Sequence, residues 1–285
     1  MATFKAACIQ VSASDDMAAN LRVVGELARR ARGDGAELIT TPENVSMMVT
    51  GSANLRAKAA PEASHPALAA FRELAQETGA WLLAGSLHVR LEDEDRLANR
   101  SFLIDPKGEI AAKYDKIHMF DVDLPSGESY RESKNFRPGA QAVLAELPWC
   151  RLGMTICYDL RFPQLYRALA KAGAEVLTIP SAFTRPTGRA HWHALMRARA
   201  IETGCWVLAA AQCGEHAGGR KTYGHSVIVA PWGEIVAEAG EEPGAILADI
   251  DLAKVAEARG QVPSLGHDRE FAGPALRDRL SAAAE

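Results

Sequence analysis

Three side chains of this 285-residue sequence are of the types that together could open an amide or nitrile. Cys157 ends the apolar run from Arg151 to Ile156 and precedes a short polar turn and a helix opening near Pro163, the residue best tolerated in a first helical turn. A thiol where a strand hands over to a helix meets free backbone N–H groups and the positive end of the helix dipole, which favour thiolate. Glu43 follows the short strand Glu37 to Thr41 within TPEN. Lys116 follows the return strand of a hairpin within KYDKIHMF, with Lys113 beside it as an alternative. An attacked carbonyl or nitrile carbon needs a nucleophile, a base for its proton and positive charge where the oxygen becomes negative; cysteine, glutamate and lysine supply these. The same cysteine, read from its apolar run alone, fits equally well as a small buried hydrophobe.

The elements that must position these groups come in two rounds. Phe4 to Val11 reads as a strand, Asp16 to Arg32 as a helix capped by Asp15 or Asp16 with Gly33 past its end, and Glu37 to Thr41 as a strand. A helix near Pro66 to Gly79, the strand Trp81 to Val89, and a hairpin of Asn99 to Ile104 and Ile110 to Tyr114 around Asp105-Pro106-Lys107-Gly108 complete the first round. The second round repeats the order: strand Arg151 to Ile156, helix Pro163 to Ala172, strand Glu175 to Pro180, helix Gly188 to Thr203, strand Trp206 to Ala211, and a hairpin of Ser226 to Ala230 and Ile235 to Ala239. The two turns share a spelling, DPKGEI and APWGEI. Each half makes one sheet with helices on one face, and the two bare apolar faces must cover each other. The expected fold is α/β, a four-layer α-β-β-α sandwich of two mixed sheets with helices on the outer faces. Residues 1–260 read as a single domain and 261–285 as a tail at a subunit contact. In such sheets ligands gather at the carboxyl ends of the strands, where Glu43, Lys116 and Cys157 all fall.

The bulk numbers set bounds. A net charge of −4 gives no general attraction for nucleic acid or an anionic membrane, so an anionic ligand must be held by local arginines. The opening MATFKAACIQ lacks a signal-peptide pattern and no apolar run reaches the ~20 residues that span a bilayer, so a cytoplasmic protein is expected. Cys8, Cys150, Cys157, Cys205 and Cys213 form an odd set with no CxxC pair, which suggests neither a zinc site nor a disulfide framework. No glycine-rich phosphate loop stands out, and no metal or cofactor is expected.

TPEN around Glu43, KYDKIHMFD around Lys116 and GMTICYDLRFPQLYR around Cys157 resemble the three signature regions of the nitrilase superfamily, the carbon–nitrogen hydrolases. The resemblance covers the chain to about Asp251. It implies Cys157 as nucleophile, Glu43 as general base, Lys116 as stabiliser of the tetrahedral intermediate and the Tyr158 backbone N–H as the second oxyanion-hole donor. It also implies a second glutamate before a Pro-Gly turn; RESKNFRPG places it at Glu132, orienting Lys116 and substrate, with Glu128 as the rival. The stretch from Ser181 to His216 and the following TYGHSVIVAPWGEIV resemble the Nit branch, and within it the deaminated glutathione amidases more than the omega-amidases. The former cut the amide of a glutathione whose glutamyl amine has become a ketone; the latter release ammonia from 2-oxoglutaramate. Both substrates carry a carboxylate next to a ketone, for which Thr184, Arg185 and Thr187 are the candidate substrate-binding residues.

Several readings compete. Nitrile and N-carbamoyl hydrolysis need the same three groups. A papain-like site would take His191 or His193 as base, yet the sequence around Cys157 lacks that pattern, and His191 and Trp192 are expected to pack and hydrogen-bond below the site. Asp159 and Arg161 are expected to hold the turn as a pair, and Arg197 to Glu202 to form intrahelical or subunit-contact pairs. The non-enzyme alternatives are a silent scaffold and a thiol redox sensor with Cys150 resolving Cys157. The expected partners are a small-molecule amide and at least one further copy of the chain.

Overall fold

The computed structural model describes residues 2–124 and 127–274. The first sheet has as its central strands Thr3–Gln10, Leu38–Thr40 and Trp81–Arg90, which run parallel and are extended by the antiparallel strands Leu97–Ile104 and Ile110–Asp115. The second repeats this plan with Arg151–Met154, Val176–Thr178 and Trp206–Ala209 in parallel, followed by antiparallel Val227–Val229 and Ile235–Glu238.

Alternation along the first sheet explains the layering. Ala7, Ile9, Ile39, Leu82, Phe102 and Ile104 face one core with helices Met17–Gly33 and Pro66–Thr78. Their neighbours Ala6, Cys8, Leu38, Leu83 and Leu103 face another core, shared with the second sheet. Period-two side chains put successive residues on opposite faces, so strands apolar throughout must be covered twice. Helix Met17–Gly33 presents Val24, Ala28 and Ala31 at i, i+4 and i+7, and Asp16 caps it by accepting from the Ala19 N–H at 3.0 Å. Helices Pro163–Lys171 and Arg185–Thr203 cover the outer face of the second sheet. The result is the four-layer sandwich.

The halves are less separate than the sequence order suggests. Strand Gly244–Asp251, absent from the sequence reading, crosses back to pair antiparallel with Thr3–Gln10 at the first sheet's open edge. It occupies the place that Val143–Glu146 takes beside Arg151–Met154 in the second sheet. Helix Arg185–Thr203 also starts three residues before the expected Gly188, with Pro186 tolerated in its first turn. The chain past 260 begins with the end of helix Ala253–Gln261 and a short turn at Ser264–Gly266. Asp268 then accepts from Arg167 and Lys171. The rest of the expected tail, residues 275–285, lies outside the described residues. Among the described residues no helix is long and apolar enough to cross a membrane.

Candidate active site

Glu43 leaves the carboxyl end of strand Leu38–Thr40 on a loop that lies directly on strand Trp81–Arg90. The strand pairing shifts register between Ala84 and Leu87, and within that irregularity Gly85 passes under Thr41 and Pro42. A Cβ at Gly85 would sit 1.9 Å from the Thr41 carbonyl oxygen, so only glycine permits the approach. Thr41 Oγ1 accepts from the Gly85 N–H at 3.0 Å, and Ser86 Oγ accepts from the Asn44 N–H at 2.9 Å. Asn44 is held in the left-handed region at φ 57°, with Oδ1 2.6 Å from His88 Nε2. The loop thus aims the Glu43 carboxylate inward, where the residue is only 3% exposed. Its Oε1 accepts from Lys116 Nζ at 2.8 Å and Asn99 Nδ2 at 3.0 Å, and its Oε2 from the Ala182 N–H at 3.0 Å.

Lys116 follows strand Ile110–Asp115. Its N–H donates to the Asn99 carbonyl, and its own carbonyl accepts from Gly139, where a Cβ would meet the Asp115 carbonyl oxygen at 2.2 Å. The ammonium also contacts Glu132 at 2.9 and 3.0 Å, and Glu132 is fixed by the Phe120 N–H at 2.7 Å and by Asn99 Nδ2 at 3.2 Å. Burial alone would discharge this lysine, yet the two carboxylates prevail and raise its pKa well above the ordinary value. Lys116 is therefore a fixed positive charge. Burial likewise acts to raise the Glu43 pKa, but the charge and hydrogen bond of Lys116 outweigh it and keep the carboxyl ionised below its ordinary range.

Cys157 opens a five-residue 3₁₀ turn, Cys157–Arg161, with φ 49°, a strained value for a residue with a Cβ. Its N–H donates to the Pro180 carbonyl, and the Tyr158 N–H has no backbone acceptor among the described residues. Asp159, fully buried, holds the turn by accepting from the Ile156 N–H, Tyr114 hydroxyl and His118 N–H, with His118 Nδ1 at 2.7 Å. The turn carrying the thiol is thereby tied to the segment carrying Lys116. Arg161 takes no part in this; its guanidinium lies over the Tyr158 and Phe183 rings, so the expected Asp159–Arg161 pair does not form. The expected thiolate is also corrected. The α-helix starts only at Pro163, so its dipole does not reach the sulfur, and burial followed by the Glu43 charge pushes the Cys157 thiol well above the ordinary range.

Glu43, Lys116 and Cys157 line one cleft of about 660 Å³, together with Glu132, Glu128, Tyr158, Thr184 and Thr187. Arg185 does not line it; the first residue of its helix, it lies outside that wall, and the cleft's arginine near Ala182 is Arg220. The Thr184 and Thr187 hydroxyls are bonded to each other at 2.8 Å. His191 meets Arg161 and His193 meets Glu238, away from the cleft, while Trp192 Nε1 donates to the His225 carbonyl. Cys150 and Cys157 flank the two ends of strand Arg151–Met154, whose length alone spans about 13 Å. A disulfide needs Cα atoms within about 7 Å, so the redox-sensor reading finds no resolving thiol there. Sequence reasoning missed Asn99, Gly85 and Arg220. For Gly85 the signal was there, a lone glycine inside the apolar strand WLLAGSLHV.

The chain belongs to the carbon-nitrogen hydrolase family, whose profile matches residues 5–260. Relatives include a deaminated glutathione amidase of Yersinia enterocolitica, 40% identical over 92% of each chain, and one of Homo sapiens, 41% identical over 92% of this chain and 81% of the other. Among solved structures, the C. elegans NitFhit protein superposes with a TM-score of 0.87 at 35% identity, covering 94% of this chain; the chain spans 65% of that longer protein.

Proposed function

We propose that the protein is an amidase that hydrolyses the non-peptide C–N amide bond of a small 2-oxo dicarboxylate-type amide, of the deaminated glutathione class, through a thioester on Cys157. The observation that carries this is the direct contact of Lys116 with Glu43 in the cleft that Cys157 also lines. The relatives at about 40% identity support the substrate class, and the cleft leaves room for a leaving group larger than ammonia.

At rest the site holds a thiol and a carboxylate. As sulfur attacks the carbonyl carbon, Glu43 takes the thiol proton, and the carbonyl electron pair moves to oxygen, where Lys116 Nζ and the Tyr158 N–H receive it. Lys116 is held protonated and acts as charge, never as acid. Glu132 orients it. Collapse breaks the C–N bond as Glu43 gives its proton to the departing amine. Glu43 then takes a proton from water, which attacks the thioester; the acid leaves and the proton returns to sulfur.

The same reading makes the protein cytoplasmic, cofactor-free and at least a homodimer, with residues 261–274 near the subunit contact. The test is kcat/KM across deaminated glutathione, 2-oxoglutaramate, simple amides, nitriles and carbamoyl amino acids. Deaminated glutathione should rank first; 2-oxoglutaramate in first place would make it an omega-amidase, and a nitrile or carbamoyl compound there would overturn the proposal.

A further inference from the structure

Among the described residues Lys116, Arg131 and Arg220 line the cleft, and their commitments differ. Lys116 is consumed by Glu43 and Glu132. Arg131 grips both oxygens of Asp123 on its exposed hairpin at 2.9 and 2.8 Å. Arg220 has no carboxylate within ion-pair distance among the described residues. Its Nη2 donates to the Ala182 carbonyl at 2.7 Å, its guanidinium carbon lies 5.4 Å from the centre of the Tyr130 ring, and its Nε is buried without any acceptor. A guanidinium offers five donors in a planar fork, and a buried one left unmet is costly unless a ligand supplies the acceptor.

Its position relative to the reacting groups is set by a single residue. Ala182 donates its N–H to Glu43 Oε2 at 3.0 Å and offers its carbonyl to Arg220. The guanidinium and the general base are thus bonded to the same residue. In a 2-oxo dicarboxylate amide four bonds separate the scissile carbon from the carboxylate next to the ketone, an extended span of about 5 Å, given the ~3.8 Å of a trans Cα–Cα step. The cleft otherwise repels such an anion, since Glu43 and Glu132 face it with Lys116 already shared between them. The ring of Tyr130, whose hydroxyl donates to Glu128 at 3.1 Å, backs the guanidinium.

We propose that Arg220, backed by Tyr130, is the subsite that receives the substrate carboxylate adjacent to the ketone, the part for which the sequence suggested Arg185. This rests on the amidase reading above and names its specificity-determining residue. A carboxylate there takes two N–H donors of the fork.

The experiment compares Arg220→Met and Arg220→Lys with the wild type on two substrates, 2-oxoglutaramate and its analogue with the carboxylate capped as a methyl ester. The readout is the ratio of their kcat/KM values, which cancels any general disturbance passed through Ala182. Losing charge-assisted hydrogen bonds should lower the ratio about 30-fold or more in Arg220→Met, mostly through KM, with partial recovery in Arg220→Lys. Both substrates falling in parallel, or neither changing, would overturn the assignment. Calorimetric binding of the product 2-oxoglutarate needs no turnover and separates the two readings. Affinity lost in Arg220→Met supports the subsite whatever the enzyme cleaves; equal affinity in wild type and variant, or none in the wild type, refutes it. Thermal melting of each variant checks folding.

Discussion

Replacing Glu132 by Gln removes one of the two carboxylates that hold Lys116 and puts an amide NH₂ where only acceptors fit. Glu132 Oε1 faces Lys116 Nζ at 3.0 Å and Asn99 Nδ2 at 3.2 Å, while Oε2 faces Lys116 Nζ at 2.9 Å and the Phe120 N–H at 2.7 Å. Either amide orientation therefore sets donor against donor. A hydrogen bond to a charged group contributes about 1.5–3 kcal/mol, and losing about 3 kcal/mol of lysine positioning in the transition state lowers kcat about 10²-fold. Lys116 keeps its 2.8 Å contact with Glu43, so the fold should persist. Steady-state kinetics over pH give a second reading. With Glu132 neutral, Lys116 acts on Glu43 undivided and depresses its pKa further, so the acid limb of kcat/KM should move to lower pH. A kcat within about threefold of wild type refutes the positioning role. Loss of the acid limb altogether would make Glu132 the base instead of Glu43.

Lys116→Ala should lower kcat by ~10²–10³ with Cys157 still alkylated, because an oxyanion donor is lost while the nucleophile remains. Gly85→Ala, whose Cβ would meet the Thr41 carbonyl oxygen at 1.9 Å, should displace the Glu43 loop and cost about 1–3 kcal/mol in denaturant unfolding. Gly240→Ala, with nothing within 4 Å, is the silent control. His88 is pushed down from 6.5 to about 4, first by burial, so the folded protein holds it neutral while the unfolded chain takes a proton. Its contribution is fully present above the unfolded value and is lost as pH falls from 6.5 towards 4, at most about 3 kcal/mol. His88→Gln should flatten that part of the stability–pH curve; an unchanged slope would show that His88 is charged in the fold.

The sequence made the alternating strands and helices legible because the first sheet is buried on both faces and its strands are apolar throughout. It did not reveal that Gly244–Asp251 returns to the first sheet, since pairing partners leave no local pattern. At the site, Glu43, Lys116 and Cys157 stand out by type and by their places at strand ends. Asn99 does not: at the start of a strand pattern nothing marks it as the donor joining two glutamates. Arg185 could not be set aside from sequence, because whether it faces the cleft depends on where its helix begins. The helix-dipole argument for a thiolate failed for a similar reason, since a short 3₁₀ turn separates Cys157 from the helix.

That turn leaves Cys157 dependent on Glu43, and a covalent intermediate on its sulfur is the most direct test. Wild-type protein mixed with deaminated glutathione should be quenched in acid within a turnover and its mass and peptide map read. A thioester adduct of the 2-oxo dicarboxylate acyl group on Cys157, absent in Cys157→Ala together with turnover, is the predicted result. Product release with Cys157 unmodified throughout, or substantial turnover by Cys157→Ala, would contradict it.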